Sequence, residues 1–373
     1  MLKRIAKCDQ VVLLIVTALT CCGVVMVFSA SAVMADKRYG DAFYFLKRQG
    51  GFAAVGMVVM FVVMGIDYHV WKKLAGWALL CSLLLLVVVL VPGLGGSAGG
   101  ASRWIALPAG FRFQPSEMAK IALILFMAYS LEKKGERVRA LGAGFVSYMI
   151  VLVLLLLLLL KQPDLGTAVT LFLVAFAMLF VAGVRLSYIV SVILLSLPFL
   201  YYLVAGVAYR RRRFMAFLDP WQDPRNSGFQ IIQSWLALGS GGLFGQGLGA
   251  GKQKLFYLPE AHTDFILAVI GEELGFVGVA VIISLFAVLV QRALCIAMAA
   301  RDIFGRFLAL GIGGVIGIEA VFNVGVVTGL FPTKGLALPF VSYGGSSLVV
   351  SLFAMGVLLS ISSETSATNA EER

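Results

Sequence analysis

Charge is scarce in this sequence. Only 13% of its 373 residues are Asp, Glu, Lys or Arg, against 61% hydrophobic, and the mean hydropathy is +0.98. No polar stretch is long enough for an independent soluble domain, which leaves a single polytopic membrane domain over 1–373. The five cysteines, Cys8, Cys21, Cys22, Cys81 and Cys295, form no CxxC pair, so neither a disulfide framework nor a cysteine metal site is indicated. Acids are scarcer than bases, 19 against 30, giving a net charge of +11. With no folded basic module to use that charge, nucleic acid is excluded as a partner, and anionic lipid headgroups or an anionic substrate remain. No internal repeat is evident, which argues against an inverted-repeat transporter.

What the chain does have is apolar runs near the ~20 residues that cross a bilayer. Ten spans are predicted, at 10–34, 49–66, 70–91, 115–131, 143–160, 166–183, 186–206, 263–291, 306–330 and 340–362. The fold class expected is an all-α integral membrane protein of about ten transmembrane helices, with a large extracytoplasmic loop, 207–262, between spans seven and eight. Lys3, Arg4 and Lys7 before the run Val11–Phe28 mimic a secretory signal, but the run exceeds the ~7–15 apolar residues of a signal and reads as an uncleaved first span. Short loops carry His69, Lys72 and Lys73, then Lys133, Lys134, Arg137 and Arg139, then Arg292, Arg301 and Arg306. With the basic N-terminus these predict both ends on the cytoplasmic side.

The outer face is also rich in cations: Lys37, Arg38, Lys47, Arg48, Arg103, Arg112, Arg210 to Arg213, Arg225, Lys252, Lys254 and Lys334. Long loops translocate regardless of charge, so the topology stands, and an anionic ligand on that face is the simplest reason for the excess. The Gly-rich loop Val91–Pro115 holds Arg103 and Trp104 and reads either as a flexible connector with an interfacial anchor or as a ligand-approach loop. Pro115 and Glu117 suit a helix start, and Lys120 lies three residues on, where the two side chains meet. Asp164 in KQPDLG is a helix-cap candidate. In the large loop, Arg210 to Arg213 could meet lipid headgroups or grip a diphosphate with paired hydrogen bonds, and GFQIIQSWLALGSGG reads as an amphipathic surface helix. Glu319 is an acid inside span nine, and Phe331–Ser347 is a polar re-entry of the kind tolerated only where it is buried in protein or lines a cavity.

The chain is organised around Lys252–Gly275, KQKLFYLPEAHTDFILAVIGEELG, where a polar loop runs into an apolar helix. Thr263 is the predicted N-cap and Asp264 the first helical residue, a position where an acid satisfies the helix dipole. Glu272 and Glu273 follow roughly 12–14 Å down the axis, which predicts a wet, polar lining. A lipid with a diphosphate headgroup fits this outer face. Arg and Lys meet its phosphates, its tail lies between helices, and Asp264 meets its sugar. One carboxylate suffices as the base of an inverting glycosyl transfer, with cations stabilising the leaving diphosphate.

RWI with FQPSE, QPDLG, YR followed by FLDPW, KLFYLPEAHTDF with GEELG, and PTKG with LPFVSYGGSS resemble, in order from Arg103 to Ser347, the SEDS family of bacterial cell-wall glycosyltransferases. PTKGLALP with LPEAHTDF is more similar to its division-associated FtsW branch, or the sporulation relative, than to the elongation branch. The resemblance implies polymerisation of lipid II into glycan strands outside the cytoplasmic membrane, a class B penicillin-binding protein as transpeptidase partner, other divisome proteins, and a septal location. It implies Asp264 as the catalytic acid of HTDF. It also implies Arg210, Arg213 and Lys254 as diphosphate contacts, with Arg103, Glu117, Lys120 and Lys334 as further candidates. Glu319 departs from the uncharged residue expected there. A divalent cation, Mg or Mn, beside Asp264 is compatible with the charge but signalled by no ligand spacing. A lipid II flippase and a noncatalytic scaffold that recruits a transpeptidase are the competing readings.

Overall fold

The computed structural model describes residues 8–91, 95–98, 101–106, 112–206, 208–255, 257–333 and 335–371. Among them twelve α-helices follow in order: α1 (Gln10–Tyr39), α2 (Tyr44–Met64), α3 (His69–Leu90), α4 (Pro115–Lys134), α5 (Ser147–Lys161), α6 (Leu165–Val181), α7 (Leu186–Ala205), α8 (Ala208–Leu218), α9 (Phe229–Gly241), α10 (Ile266–Ala299), α11 (Ile303–Val327) and α12 (Gly345–Glu371). Helix starts are fixed by short acidic side chains that accept otherwise unpaired amides. Asp9 takes those of Val11 and Val12 at 3.1 Å, Asp164 that of Thr167 at 3.3 Å, and Asp302 that of Gly305 at 3.3 Å.

Two expectations need correction. The chain is not wholly helical: β1 (Gly95–Ala98), β2 (Ala101–Ala106) and β3 (Arg112–Phe113) form an antiparallel sheet between α3 and α4, with Gly95 opposite Ile105 and Ile105 opposite Phe113. Backbone pairing turns much of the supposed flexible connector into a scaffold for Arg103 and Trp104 on β2. Nor does α9 simply lie on the surface. It packs on α10, buries Ile231, Ile232 and Ala237, and fastens to the end of α11 through Ser234 Oγ to the Val327 carbonyl (2.7 Å) and Trp235 Nε1 to the Thr328 carbonyl (3.1 Å).

Seven described helices are long and apolar enough to cross a membrane: α1, α2, α3, the stretch Gly144–Lys161 containing α5, α10, α11 and α12. Among the other predicted spans, α4 carries five charged residues, Glu117, Lys120, Glu132, Lys133 and Lys134, and α6 has 17 residues. Burial explains the composition of α4, which lies between α3 and α11, so that most of its residues face protein. On α5 the pattern is one-sided, with Leu155 and Leu159 buried while Ile150, Leu154 and Leu157 face outward, as lipid contact requires. Helix α11 is the hub, packing against α4, α6, α9, α10 and α12, while α12 lies along α2.

Helix α10 is broken at Gly275, whose φ of 71° and ψ of −168° are non-helical. The turn Gly241–Gly247 presses into the gap. The amides of Gln246 and Gly247 take the carbonyls of Glu272 and Glu273 at 3.0 Å, and the carbonyls of Gly242 and Leu243 take the amides of Phe276 (2.9 Å) and Val277 (3.1 Å). A Cβ at 275 would sit 2.5 Å from the Leu243 carbonyl oxygen, in a backbone conformation that L-residues avoid. Gly275→Ala should therefore lower the detergent melting midpoint by an amount equivalent to about 1–3 kcal/mol. Val277→Ala, at an exposed position, should leave the midpoint unchanged. Differential scanning fluorimetry of the purified variants checks this, and equal melting of Gly275→Ala and wild type would rule out the break as a close-packed feature.

Candidate functional site

Asp264 lies two residues ahead of the helix it is expected to open. Helix α10 begins at Ile266, with Phe265 at the cap and no side-chain cap bond, so the predicted roles of Thr263 as N-cap and Asp264 as first helical residue are corrected. The physical reason is a tight turn. The Thr263 hydroxyl donates to Glu260 Oε2 (3.0 Å), and the amides of Thr263 (3.1 Å) and Phe265 (3.4 Å) donate to the Glu260 carbonyl. Asp264 thus belongs to a loop, and its carboxylate is free of the helix.

That loop is held by three distant elements. Asn323 of α11, buried, donates from Nδ2 to the carbonyls of both Asp264 and Leu336 at 2.9 Å. From the segment before α12, Ser342 Oγ donates to the Thr263 carbonyl (2.6 Å) and accepts the Leu338 amide (2.8 Å), and the Tyr343 amide donates to the His262 carbonyl (2.9 Å). From α2, Gln49 Nε2 donates to the Ser342 carbonyl (3.2 Å), and the Phe45 ring lies 4.8 Å from that of His262. Gly335 backs the carboxylate, since a Cβ there would lie 3.2 Å from Asp264 Oδ2. Gly335 and Ser342 fall in the re-entry Phe331–Ser347 that the sequence marks out, without being distinguished within it, and Asn323 escapes a reading of the sequence, although it lies one helical turn after Glu319 on the same face and is itself polar in an apolar helix.

Electrostatics make this carboxyl unusual. Dense surrounding protein pushes the Asp264 carboxyl up to about 7, Glu260 adds to the rise, and Arg213 and Arg103 partly offset it. His262 beside it is held below its usual range by burial. Arg103 uses Nε on the Gln162 carbonyl (3.2 Å) and Nη2 on the Pro163 carbonyl, so β2 and the QPDLG turn move as one unit. Arg213 reaches the carbonyl of Thr333, within the PTKG segment, with Nη1 at 3.5 Å. The side chain of Arg210 and the whole of Lys334 lie outside the described residues.

The remaining candidates are buried in ion pairs away from solvent. Lys120 bridges Glu117 (2.9 Å) and Glu319, which supplies the missing partner for the intramembrane acid on α11. Lys254 pairs with Glu273 at 2.6 Å and donates to Ser29 Oγ at 3.0 Å, and Ser29 Oγ itself lies 2.7 Å from Glu273 Oε2. Glu272 accepts the amides of Lys252 (2.7 Å) and Gln253 (3.2 Å), and Glu273 that of Gly249 (3.1 Å). The wet lining expected around Glu272 and Glu273 is corrected accordingly: their oxygens are taken up by the loop folded over them. Asp164 accepts from Ser116 (3.0 Å) and Thr167 (2.9 Å), locking α4 to α6. Among the described residues, the His, Cys, Asp and Glu ligand atoms that converge as a trio are those of Asp67, His69 and Glu364, far from Asp264. The surroundings of Asp264 offer Glu260 as the acidic neighbour and two guanidinium groups, a donor set that does not fit a resident divalent cation.

The family model for FtsW, RodA and SpoVE, described as cell cycle protein, matches residues 9–367. A probable peptidoglycan glycosyltransferase FtsW of Geobacter metallireducens is 60% identical over 367 residues, 98% of each chain. Another, from Trichlorobacter lovleyi, is 63% identical over 359 residues, 96% of this chain and 94% of that one. Of solved structures, a chain from work on the structural coordination of polymerization and crosslinking by a peptidoglycan synthase complex superposes with a TM-score of 0.78 at 29% identity, covering 96% of this chain and 98% of the other.

The buried pair makes a discriminating prediction. Lys254→Met strands Glu273 and should destabilise the fold by roughly 3–5 kcal/mol, whereas Lys254→Met with Glu273→Gln should recover most of that loss. Thermal melting of the two variants checks it. A single mutant that melts like wild type would return Lys254 to the role of a ligand contact.

Proposed function

This chain belongs to the SEDS family of FtsW, RodA and SpoVE cell cycle proteins and is a peptidoglycan glycosyltransferase of the FtsW type; from that premise we propose that it polymerises lipid II with Asp264 as general base. The observation that carries the assignment is a carboxyl raised to about 7, backed by a glycine and lying within the field of two arginines. A base with that affinity for protons takes a hydroxyl proton far better than an ordinary aspartate. The Asp264 carboxylate removes the proton of the acceptor sugar hydroxyl, the oxygen attacks the anomeric carbon of the donor, and the bond from that carbon to the diphosphate breaks. Undecaprenyl diphosphate leaves with the electron pair, and the anomeric configuration inverts.

Arg103 and Arg213, with Arg210 three residues before Arg213 and Lys334 between Thr333 and Gly335 in the sequence, neutralise the departing diphosphate. Glu117, Lys120 and Lys254 act one step back, as positioning residues that hold α4 and the loop over α10. Charge neutralisation is assigned to the guanidinium groups rather than to magnesium or manganese. In this reading all ten predicted segments, including α4, α6 and α7, cross the cytoplasmic membrane, both termini are cytoplasmic, and 207–262 lies outside at the division septum. The partner is a class B penicillin-binding protein transpeptidase, among other divisome proteins and membrane lipids. A flippase would need polar groups open to a headgroup from face to face. The pairing of Lys120 with Glu117 and Glu319, and of Lys254 with Glu273, supports chemistry at the outer face instead.

Gel detection of glycan strands from purified lipid II, with and without a class B transpeptidase, tests the reading. Asp264→Asn should lose at least about 100-fold in rate. The wild-type rate should rise with pH through about 7 and then level, because the base acts only when deprotonated. Loss of activity must not reflect unfolding, and linkage supplies a control. A carboxyl raised in the folded state disfavours folding progressively as pH climbs above its unfolded value, and the penalty is complete above the raised one. Asp264→Asn should therefore melt no lower than wild type at pH 8, and equal polymerisation by the two proteins would sink the base assignment.

A further inference from the structure

At the end of the bundle away from Asp264, helix α3 presents His69, Lys72, Lys73, Gly76, Trp77 and Leu80 along one stripe. With Tyr129 of α4 they line an open groove of about 740 Å³. The stripe is graded. Its first turn is cationic, and the next two turns, roughly 16 Å in all along the axis, are apolar and aromatic. Trp77 is 67% exposed, turned outward where an aromatic residue suits the membrane interface. His69 faces Asp67 (2.7 Å), Asp302 (3.8 Å) and Glu364 (3.9 Å), and Lys72 pairs with Glu132 (2.7 Å), so among the described residues the cations left for a ligand are exposed Lys73 on the lining and, beside the lining, Lys133, whose ammonium lies 5.8 Å from the Tyr129 ring centroid. Gly76 lets the floor recede, and a side chain added there would meet nothing within 4 Å.

We propose that this groove binds an anionic glycerophospholipid from the membrane leaflet at that end. Lys73 and Lys133 meet the phosphate, and Trp77, Leu80 and Tyr129 seat the first part of an acyl chain. A basic pocket beside membrane helices, with an apolar continuation, is matched in charge and in polarity gradient to such a lipid. The occupant is a bilayer lipid rather than the polyprenyl substrate because the groove lies at the opposite end of the bundle from the reacting carboxylate.

Native mass spectrometry of the full-length protein, titrated with phosphatidylglycerol or phosphatidylcholine, tests the proposal. Wild type should retain one phosphatidylglycerol at concentrations where phosphatidylcholine is lost. Lys73→Gln should weaken retention about fivefold, in line with the contribution of one basic residue near a charged headgroup. Gly76→Leu fills the groove while improving helix propensity, so it should weaken retention without lowering the melting midpoint. Arg301→Gln, exposed and outside the groove, should change nothing. Equal retention of the two lipids by wild type, or unchanged retention in both groove variants, would overturn the proposal. So would displacement of the phospholipid by an equal concentration of undecaprenyl phosphate, which would make the occupant a polyprenyl chain.

Discussion

The exchange of hydrogen bonds between the break in α10 and the turn Gly241–Gly247 is the constraint on which the rest of the outer architecture hangs. In a medium without water, an interrupted helix leaves amides and carbonyls that must find partners in protein. Here the turn supplies all four groups, and its path is fixed by glycines whose backbones approach where side chains cannot. Once the turn is fixed, the chain from Gly249 to Gln253 drapes over Glu272 and Glu273, and the loop that carries Asp264 starts from a defined point.

Two kinds of charge follow from this arrangement. Glu273 with Lys254, and Lys120 with Glu117 and Glu319, are closed pairs or trios deep in the bundle, where removing one partner costs far more than the pair contributes. Asp264 is different in kind. Its fellow acid Glu260 and the protein packed around it disfavour its charge, and the arginines compensate only in part. Packed polar contacts from α2, α11 and the segment before α12 hold the loop where that imbalance persists. The loop's backbone is held by these contacts, and the balance of charges at Asp264 stays against its ionised form.

Much of this was legible in the sequence because it is local. Apolar runs located the helices, Asp164 is the cap its QPDLG setting suggests, and the three-residue spacing of Glu117 and Lys120 does bring them together. HTDF drew attention to Asp264 before any geometry was known. What was hidden depends on separation along the chain: Ser29 meets Glu273 across 244 residues, and Lys120 meets Glu319 across 199. No period or propensity encodes such partners, so Lys254 read as a headgroup contact rather than as a counter-ion. The sheet was missed because glycine lowers strand propensity, while the hydrogen-bond register that overrides it is a property of three segments at once. The break at Gly275 was missed because a lone glycine in an apolar helix is usually tolerated.

The partners of these groups also have an order in time, since a membrane protein is made from its N-terminus. Among the described residues, every group that satisfies the side chains of Glu272 and Glu273, from Ser29 to Lys254, precedes them in the chain. Those acids therefore meet waiting partners when α10 is synthesised. The loop of Asp264 differs: Phe45 of α2 precedes it, but the groups that take its backbone carbonyls, Asn323, Ser342 and Tyr343, all come later. The nascent protein can close its costly Glu272 and Glu273 charges early, yet the loop of Asp264 lacks its carbonyl partners until α11 and the segment before α12 have been made. Truncated chains released before that point would carry the acid but not the contacts that hold its loop.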